Sequence, residues 1–435
     1  MSAQAAAIPA VAHERRRASF AGAWLLSAAM ALSGILTYAF HVLAARSLGP
    51  SAYGQIAVLW GTIFLVAIVL FRPLEQTTSR AVADRLARGE EVRTVIRSVS
   101  LIALGISVAL GVIAAATWGR LSALLFAGDG FMTAMLLAGV LGYGLSYFVR
   151  GLVGGVRWFS GYSVVLLVDS VARLVVAAPL VFVASKATAA VALLAAAVAG
   201  AVAPLTVARS RLKPLREGGT GRRFHPAAAL AFAAPASAVA GSDQLLVNGA
   251  PLLVIVGGGG GAKAAGVVFA ATMLVRAPVY VFQGIAASLL PNFTLLQGNE
   301  PARLRAVLVR TAWTLLGTGI VIVLGVAAVG PTMMRVFYGP DFASGRGSLV
   351  LLGLGVSLYL AAATLLQLLL ALDRGLPAAV AWTFSAAAFV GLFVLVSGTE
   401  LWRVSVAFAA ALTLNVVLHG LALARRPKRA EGVLR

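Results

Sequence analysis

Residues 209–225 read RSRLKPLREGGTGRRFH, the longest strongly basic break in an otherwise apolar chain of 435 residues. The break falls near the middle, with six apolar runs before it and six after it. A helix that crosses roughly 30 Å of hydrocarbon needs about 20 residues. The runs at 20–42, 54–71, 98–118, 132–149, 161–184 and 188–208, and then at 227–256, 264–286, 307–329, 347–371, 376–396 and 403–424, meet that length. The expected organisation is an N-terminal segment 1–19, a six-helix bundle 20–208, a linker 209–226, a second six-helix bundle 227–424 and a basic tail 425–435.

Composition agrees with this reading. Charged residues make up 11% of the chain and hydrophobic ones 60%, whereas a soluble domain carries about 25% charged residues. The bilayer must therefore be the solvent for most of the sequence. A net charge of +21 would suit a nucleic-acid partner, but the arginines sit in short segments between apolar runs, which argues against one. With the N-terminus placed inside, 26 of the 35 Lys and Arg residues fall on cytoplasmic segments and 7 on the other side. That asymmetry puts both termini and the central linker in the cytoplasm. The run at 20–42 is too long for a cleaved signal peptide. The charged stretch 72–97, with Val82, Leu86 and Val92 interspersed, reads either as an amphipathic helix on the cytoplasmic membrane surface or as a solvated loop.

Several chemistries are excluded. The chain has no cysteine, hence no disulfide, thiolate ligand or cysteine nucleophile. His13, His41, His225 and His419 are scattered and form no metal-ligand pattern. Lys263 follows a glycine run but lacks the Ser or Thr of a phosphate loop, so 257–261 reads as an external turn. The sequon at Asn292 lies on the cytoplasmic side and is discounted. No enzyme site and no cofactor are expected.

The two halves share landmarks. Gly54 and Gly266 open the second and eighth runs, 212 residues apart. Gly128, before the fourth run, and Gly339, before the tenth, are 211 apart. The stretch from Arg150 (RGLVGG) and that from Leu366 (LQLLLALDRG) are 216 apart. Three similar offsets in one order argue for a duplicated six-helix unit. An even number of spans gives both halves the same orientation about an axis along the membrane normal.

The stretch 44–54 (AARSLGPSAYG), the RGLVGG segment from Arg150 and 337–342 (FYGPDF) resemble the multidrug/oligosaccharidyl-lipid/polysaccharide (MOP) flippase superfamily, and within it the polysaccharide-biosynthesis, O-antigen-type transporters. The resemblance covers essentially the whole chain. It implies an all-α protein of the bacterial plasma membrane with about twelve transmembrane helices in two repeats. It further implies alternating access without ATP, moving a polyprenyl-diphosphate-linked glycan from the inner to the outer leaflet. The partners implied are membrane lipid, that glycan lipid, and the polysaccharide polymerase and glycosyltransferases working beside transport. A cation-coupled multidrug exporter of the same fold, a membrane-embedded transferase and a non-transporting cell-wall scaffold are the rival readings.

An anionic diphosphate in a low-dielectric cavity needs positive partners, and Arg46, Arg150, Arg173 and Arg276 are the candidates. The intramembrane acids Asp169 and Asp243 are candidates for coupling to a proton or sodium ion. Asp169 and Arg173 are four apart on one helical face and can pair, as a working site or as a tolerated internal ion pair. Asp243 and Arg276 lie at similar depths on either side of the glycine turn, and a direct pair is expected between them. Gln244, Asn248, Gln283 and Gln367 are candidate polar groups of the cavity or links between helices. Pro235, Pro251 and Pro278 are candidate kinks.

Overall fold

The computed structural model describes residues 2–207, 209–216, 226–279 and 301–424. In chain order the helices are α1 (Ser2–Arg88), α2 (Arg93–Phe126), α3 (Gly130–Gly155), α4 (Phe159–Ala177), α5 (Lys186–Val207), α6 (Pro226–Asn248), α7 (Ala250–Leu253), α8 (Gly261–Val275), α9 (Pro301–Tyr338), α10 (Arg346–Ala371), α11 (Gly375–Leu395) and α12 (Glu400–Ala424). Each of the twelve apolar runs begins on one of these helices, and the eighth continues beyond the described residues. Among the described residues nine are long and apolar enough to cross a membrane, and the bent pair α6–α7 makes a tenth. One of the nine, Leu25–Arg88, holds the first two expected spans. They meet at Gly49, whose φ of 69° and ψ of 171° suit a residue without a Cβ.

The stretch 72–97 is neither of the two things expected of it. The second arm of α1 runs straight on to Arg88, turns at Gly89 (φ 69°) and re-enters as α2 at Arg93. Arg85 holds the turn. Its guanidinium donates to the Glu91 carbonyl and the Thr94 hydroxyl, both at 2.7 Å. Val82, Val92 and Val95 are fully buried beneath it, so apolar residues that suggested a membrane-surface face pack instead against the protein.

Within the first half, α1 packs on α3 and α4, and α5 on α3 and α4; within the second, α10 packs on α9 and α12, and α11 on α6 and α12. The RGLVGG segment ends α3, and its glycines supply the close approach to α1. A Cβ on Gly151 would meet the Glu75 carbonyl at 3.0 Å, and one on Gly155 would meet Val82 at 2.6 Å. Small residues of this kind let membrane helices touch along their backbones. The third expected span of each half, on α2 and on α9, is peripheral, with only 11% of its apolar window buried. That shared exposure supports the duplication read from the offsets.

The halves meet along contacts of α1 with α8 and α6. At the end expected to face outward, Gly54 and Gly266 cross. A Cβ on Gly54 would overlap the Ala262 carbonyl oxygen, and one on Gly266 would overlap that of Pro50. Either Cβ would also come within 3.0 Å of the other glycine's backbone nitrogen. The paired landmarks of the repeat thus touch one another. Around the crossing the rings of Tyr38, Tyr53, Phe269, Phe337, Tyr338 and Phe342 pack edge to face or tilted, with centroids 5.9–6.4 Å apart. The FYGPDF motif is therefore part of an aromatic seal that closes this end.

The seventh expected span is broken. α6 ends at Asn248, and Ala234–Asn248 meets Ala250–Gly257 at 69°. Pro251, in the first turn of α7, causes the break, because it has no N–H to continue the helical ladder to the Val247 carbonyl. Pro235, expected to kink as well, lies inside a continuous α6. Pro278 follows the end of α8, whose cap is Arg276. Residues 277–279 are helical again, so Pro278 lies in a first helical turn, where a missing N–H is tolerated. The turn expected at 257–261 is confined to 259–260, with positive φ at Gly259 and Gly261, because residues 254–258 continue α7 as a π-helical turn.

Candidate functional site

The freed Val247 carbonyl is where the second-half site begins. Arg276, 8% exposed, donates through one terminal nitrogen to that carbonyl at 2.6 Å and to the Asn248 side-chain oxygen at 3.1 Å. The Asn248 amide donates to Gln244 Oε1 (2.7 Å), and Gln244 Nε2 donates to Asp243 Oδ2 (3.0 Å). Asp243 Oδ1 accepts from the Tyr359 hydroxyl of α10 at 2.7 Å. The result is a relay, Arg276–Asn248–Gln244–Asp243–Tyr359, across three helices.

The direct Asp243–Arg276 pair expected from their depths is absent. Equal depth fixes height in the membrane but not direction around the helix, and the two amides, four apart on one face of α6, lie between the charges. Asp243 and Arg276 remain within electrostatic reach of one another, and Arg72 of α1 reaches Asp243 from the other half. Arg276 Nε has no hydrogen-bond partner among the described residues. A buried guanidinium with an unused donor can still receive an anion.

In the first half the expected Asp169–Arg173 ion pair is present, one turn apart on α4, with both side chains almost fully buried. Arg173 also donates to the Thr37 hydroxyl (2.9 Å) and the Tyr143 hydroxyl (3.0 Å), and its guanidinium lies over the Trp60 ring at 4.9 Å. These contacts tie the cation to α1 and α3 as well as to its own helix.

Arg150 stacks on Tyr147 at 5.1 Å, and its buried Nε has no partner among the described residues. Near it, on the side expected to be cytoplasmic, Glu75 accepts from the Tyr162 hydroxyl at 2.7 Å. Glu75, Tyr162 and Arg150 are close enough to interact electrostatically. Arg46 is exposed, one turn before the Gly49 bend, and so lies outside both buried networks. Gln367 is half-buried on α10, two turns beyond Tyr359, and joins neither network. Gln283 lies outside the described residues.

Sequence reasoning missed Tyr359, Tyr143, Tyr162, Thr37, Glu75 and Arg72. Glu75 and Arg72 carry a signal in hindsight, as charges immediately after an apolar run. The tyrosines carry none, because a ring in a span is first a packing residue and its hydroxyl's partner depends on tertiary structure.

Two six-helix halves over one aromatic seal, with buried charges in each half, define the class. This is a multi-pass membrane protein with the MOP-superfamily fold. A solved structure described as the inward-facing conformation of a multidrug resistance MATE family transporter of that superfamily matches with a TM-score of 0.70, covering 92% of this chain and 98% of that one at 15% identity. The lipid II flippase MurJ in an inward closed conformation matches at 0.69, covering 93% and 88% at 16% identity. No family model matches the chain. By sequence it is 31% identical over 421 residues to the uncharacterized protein Rv1510 of Mycobacterium tuberculosis, covering 92% of this chain and 91% of that protein. The chain belongs to the family of Rv1510.

Proposed function

We propose that this protein translocates a polyprenyl-diphosphate-linked oligosaccharide or polysaccharide repeat unit across the bacterial plasma membrane by alternating access. The observation that carries the reading is the Arg276 relay. A buried guanidinium is held beside a helix break, with one donor unused and a carboxylate two amides away. A diphosphate that takes Arg276 competes with Asn248 for the guanidinium. The disturbance passes through Gln244 to Asp243, which can then take a proton or sodium ion. Substrate and ion are thereby linked through differential stabilisation of two states, which a ligand-driven shift requires. The sequence resemblance to polysaccharide transporters and the fold shared with a lipid II flippase support the lipid-linked substrate.

Multidrug export is the second reading, and the MATE fold favours it. Cationic drugs call for available carboxylates, whereas both oxygens of Asp243 accept hydrogen bonds and Asp169 is already paired with Arg173. The chemistry of the relay suits an anion better.

The test is made in a bacterium deleted for its own copy of the gene. Lipid-linked glycan should accumulate in the inner leaflet, and the wild-type chain should restore export. Arg276→Gln keeps donors for the Val247 carbonyl but removes the charge. At equal membrane abundance it should lower export at least tenfold. Normal glycan export in the deletion strain refutes the proposal, and full rescue by Arg276→Gln removes Arg276 from it.

A further inference from the structure

We propose that His41 is a proton-binding switch for the outer closure: the seal between the halves holds around a neutral imidazole, and protonation of His41 favours the form opened at that end. His41 is completely buried. Its ring is walled by Phe40 (centroids 5.1 Å apart), Trp60 (4.6 Å), Tyr53 (6.1 Å) and Phe269 (5.1 Å). Nδ1 lies 3.2 Å from the Tyr53 hydroxyl, while Nε2 has no hydrogen-bond partner among the described residues. Three walls come from the two arms of α1, and the fourth, Phe269, comes from α8 in the other half. The box is therefore intact only while the halves are closed at this end.

The charged and titratable groups that face the box decide which form of the ring it accepts. From α1 there is Tyr53; from α4 there is Arg173, with Asp169 bound to it; from α8 there is Arg276. Both charges that act directly on the ring are positive. A cation in this place would bring an N–H with no acceptor into a buried aromatic cage within electrostatic reach of two guanidiniums, which is costly. Aromatic faces can hold a cation, but Trp60 and Phe40 already carry Arg173 at 4.9 and 6.0 Å.

Opening the outer end withdraws Phe269 and admits water, and a hydrated histidine titrates near about pH 6.5. The proton thus binds the open form more tightly, and by linkage it favours opening by the same factor. The sign follows directly. Falling external pH opens the seal and rising pH closes it. The inference goes beyond the proposed cargo and does not depend on it.

The chain has no native cysteine, so Ala127→Cys and Ala343→Cys give two clean spin-label sites. Both residues are exposed, one in each half, on the loops before α3 and α10. Their separation is read by electron–electron double resonance on the full chain in lipid nanodiscs without substrate. A short distance at pH 8 should give way at pH 5 to a longer one, with the open-to-closed ratio rising at least tenfold. His41→Phe keeps an aromatic ring that cannot be protonated, and it should stay closed at both pH values. His41→Gln, smaller and neutral, should do the same and stands in should the Phe variant fold poorly. An unchanged distance in the wild-type chain overturns the proposal, as does a pH response that survives in the variants.

Discussion

Asp169 and Arg173 sit one turn apart on a single helix and touch, whereas Asp243 and Arg276 sit on α6 and at the end of α8 and are joined through two amides. A pair on one helix travels with that helix whatever the halves do relative to one another. Arg173 donates further to Thr37 and Tyr143 and lies over the Trp60 ring, so a ligand would have to displace bonds already made. The second-half relay spans three helices and includes a carbonyl released by Pro251. It can exchange partners without unfolding any helix. On the function proposed above, the contrast leaves a holding role to the first-half charges and a responsive role to the second-half ones.

The largest effect should come from breaking the first-half pair on one side. Asp169→Ala leaves Arg173 as a buried charge without its counter-ion and should destabilise the protein by about 3–5 kcal/mol, read as a fall in unfolding midpoint in detergent. Replacing both, as Asp169→Leu with Arg173→Met, should recover most of that loss and retain transport. If the double variant is stable but inactive, the holding role is wrong and the first half carries function too.

A smaller effect sharpens the other side of the comparison. Pro251→Ala restores an N–H that can reach the Val247 carbonyl and so competes with Arg276 for it. The variant should be as stable as the parent or up to about 1 kcal/mol more stable, with transport reduced several-fold. Unfolding and transport measured on one preparation check this, and undiminished transport would show that the 69° break is incidental.

The smallest effect calibrates both buried systems against an ion pair at the water's edge. Asp129 caps α3 through the Met132 N–H and pairs with Lys186 at 2.5 Å. The Lys186 hydrogen bond holds the Asp129 carboxyl below the usual carboxylate range. A depressed carboxylate contributes stability that is present above its unfolded value, about pH 4, and is lost as pH falls through the folded value. The pair is partly exposed, so the contribution should be a few tenths of a kcal/mol. Unfolding midpoints of the parent and Lys186→Met should differ slightly at pH 6 and converge near pH 3.

Much of this architecture is legible without coordinates because the bilayer imposes it. Length, hydropathy and arginine placement locate the helices, and the i,i+4 rule locates the Asp169–Arg173 pair. The repeat offsets even single out Gly54 and Gly266, although nothing in a linear comparison says that the two would touch. The second-half relay was harder to read. Depth along a hairpin suggested a direct Asp243–Arg276 bond, but direction around the helix axis is set by tertiary packing, and Gln244 and Asn248 fill the gap. Proline was an ambiguous signal for the same reason. Pro251 breaks the span because Arg276 is there to satisfy the released carbonyl, whereas Pro235 sits within an unbroken helix. Arg46 looked equivalent to the buried arginines by residue type alone, yet its position beside the Gly49 bend leaves it in the open.

The uninterrupted run of α1 beyond Gly49 has a mechanical consequence. At 1.5 Å per residue, the 34 steps from Gly54 to Arg88 make a rod of about 51 Å, longer than the roughly 30 Å of hydrocarbon it crosses. Its fulcrum is the glycine crossing, close to one end. A rocking of about 10° there, small enough to leave the backbones in contact, swings the Arg88 tip by about 9 Å. Because Arg85 clasps the start of α2, that peripheral helix must follow. A motion hardly visible at the outer surface is thereby geared up on the opposite side of the membrane.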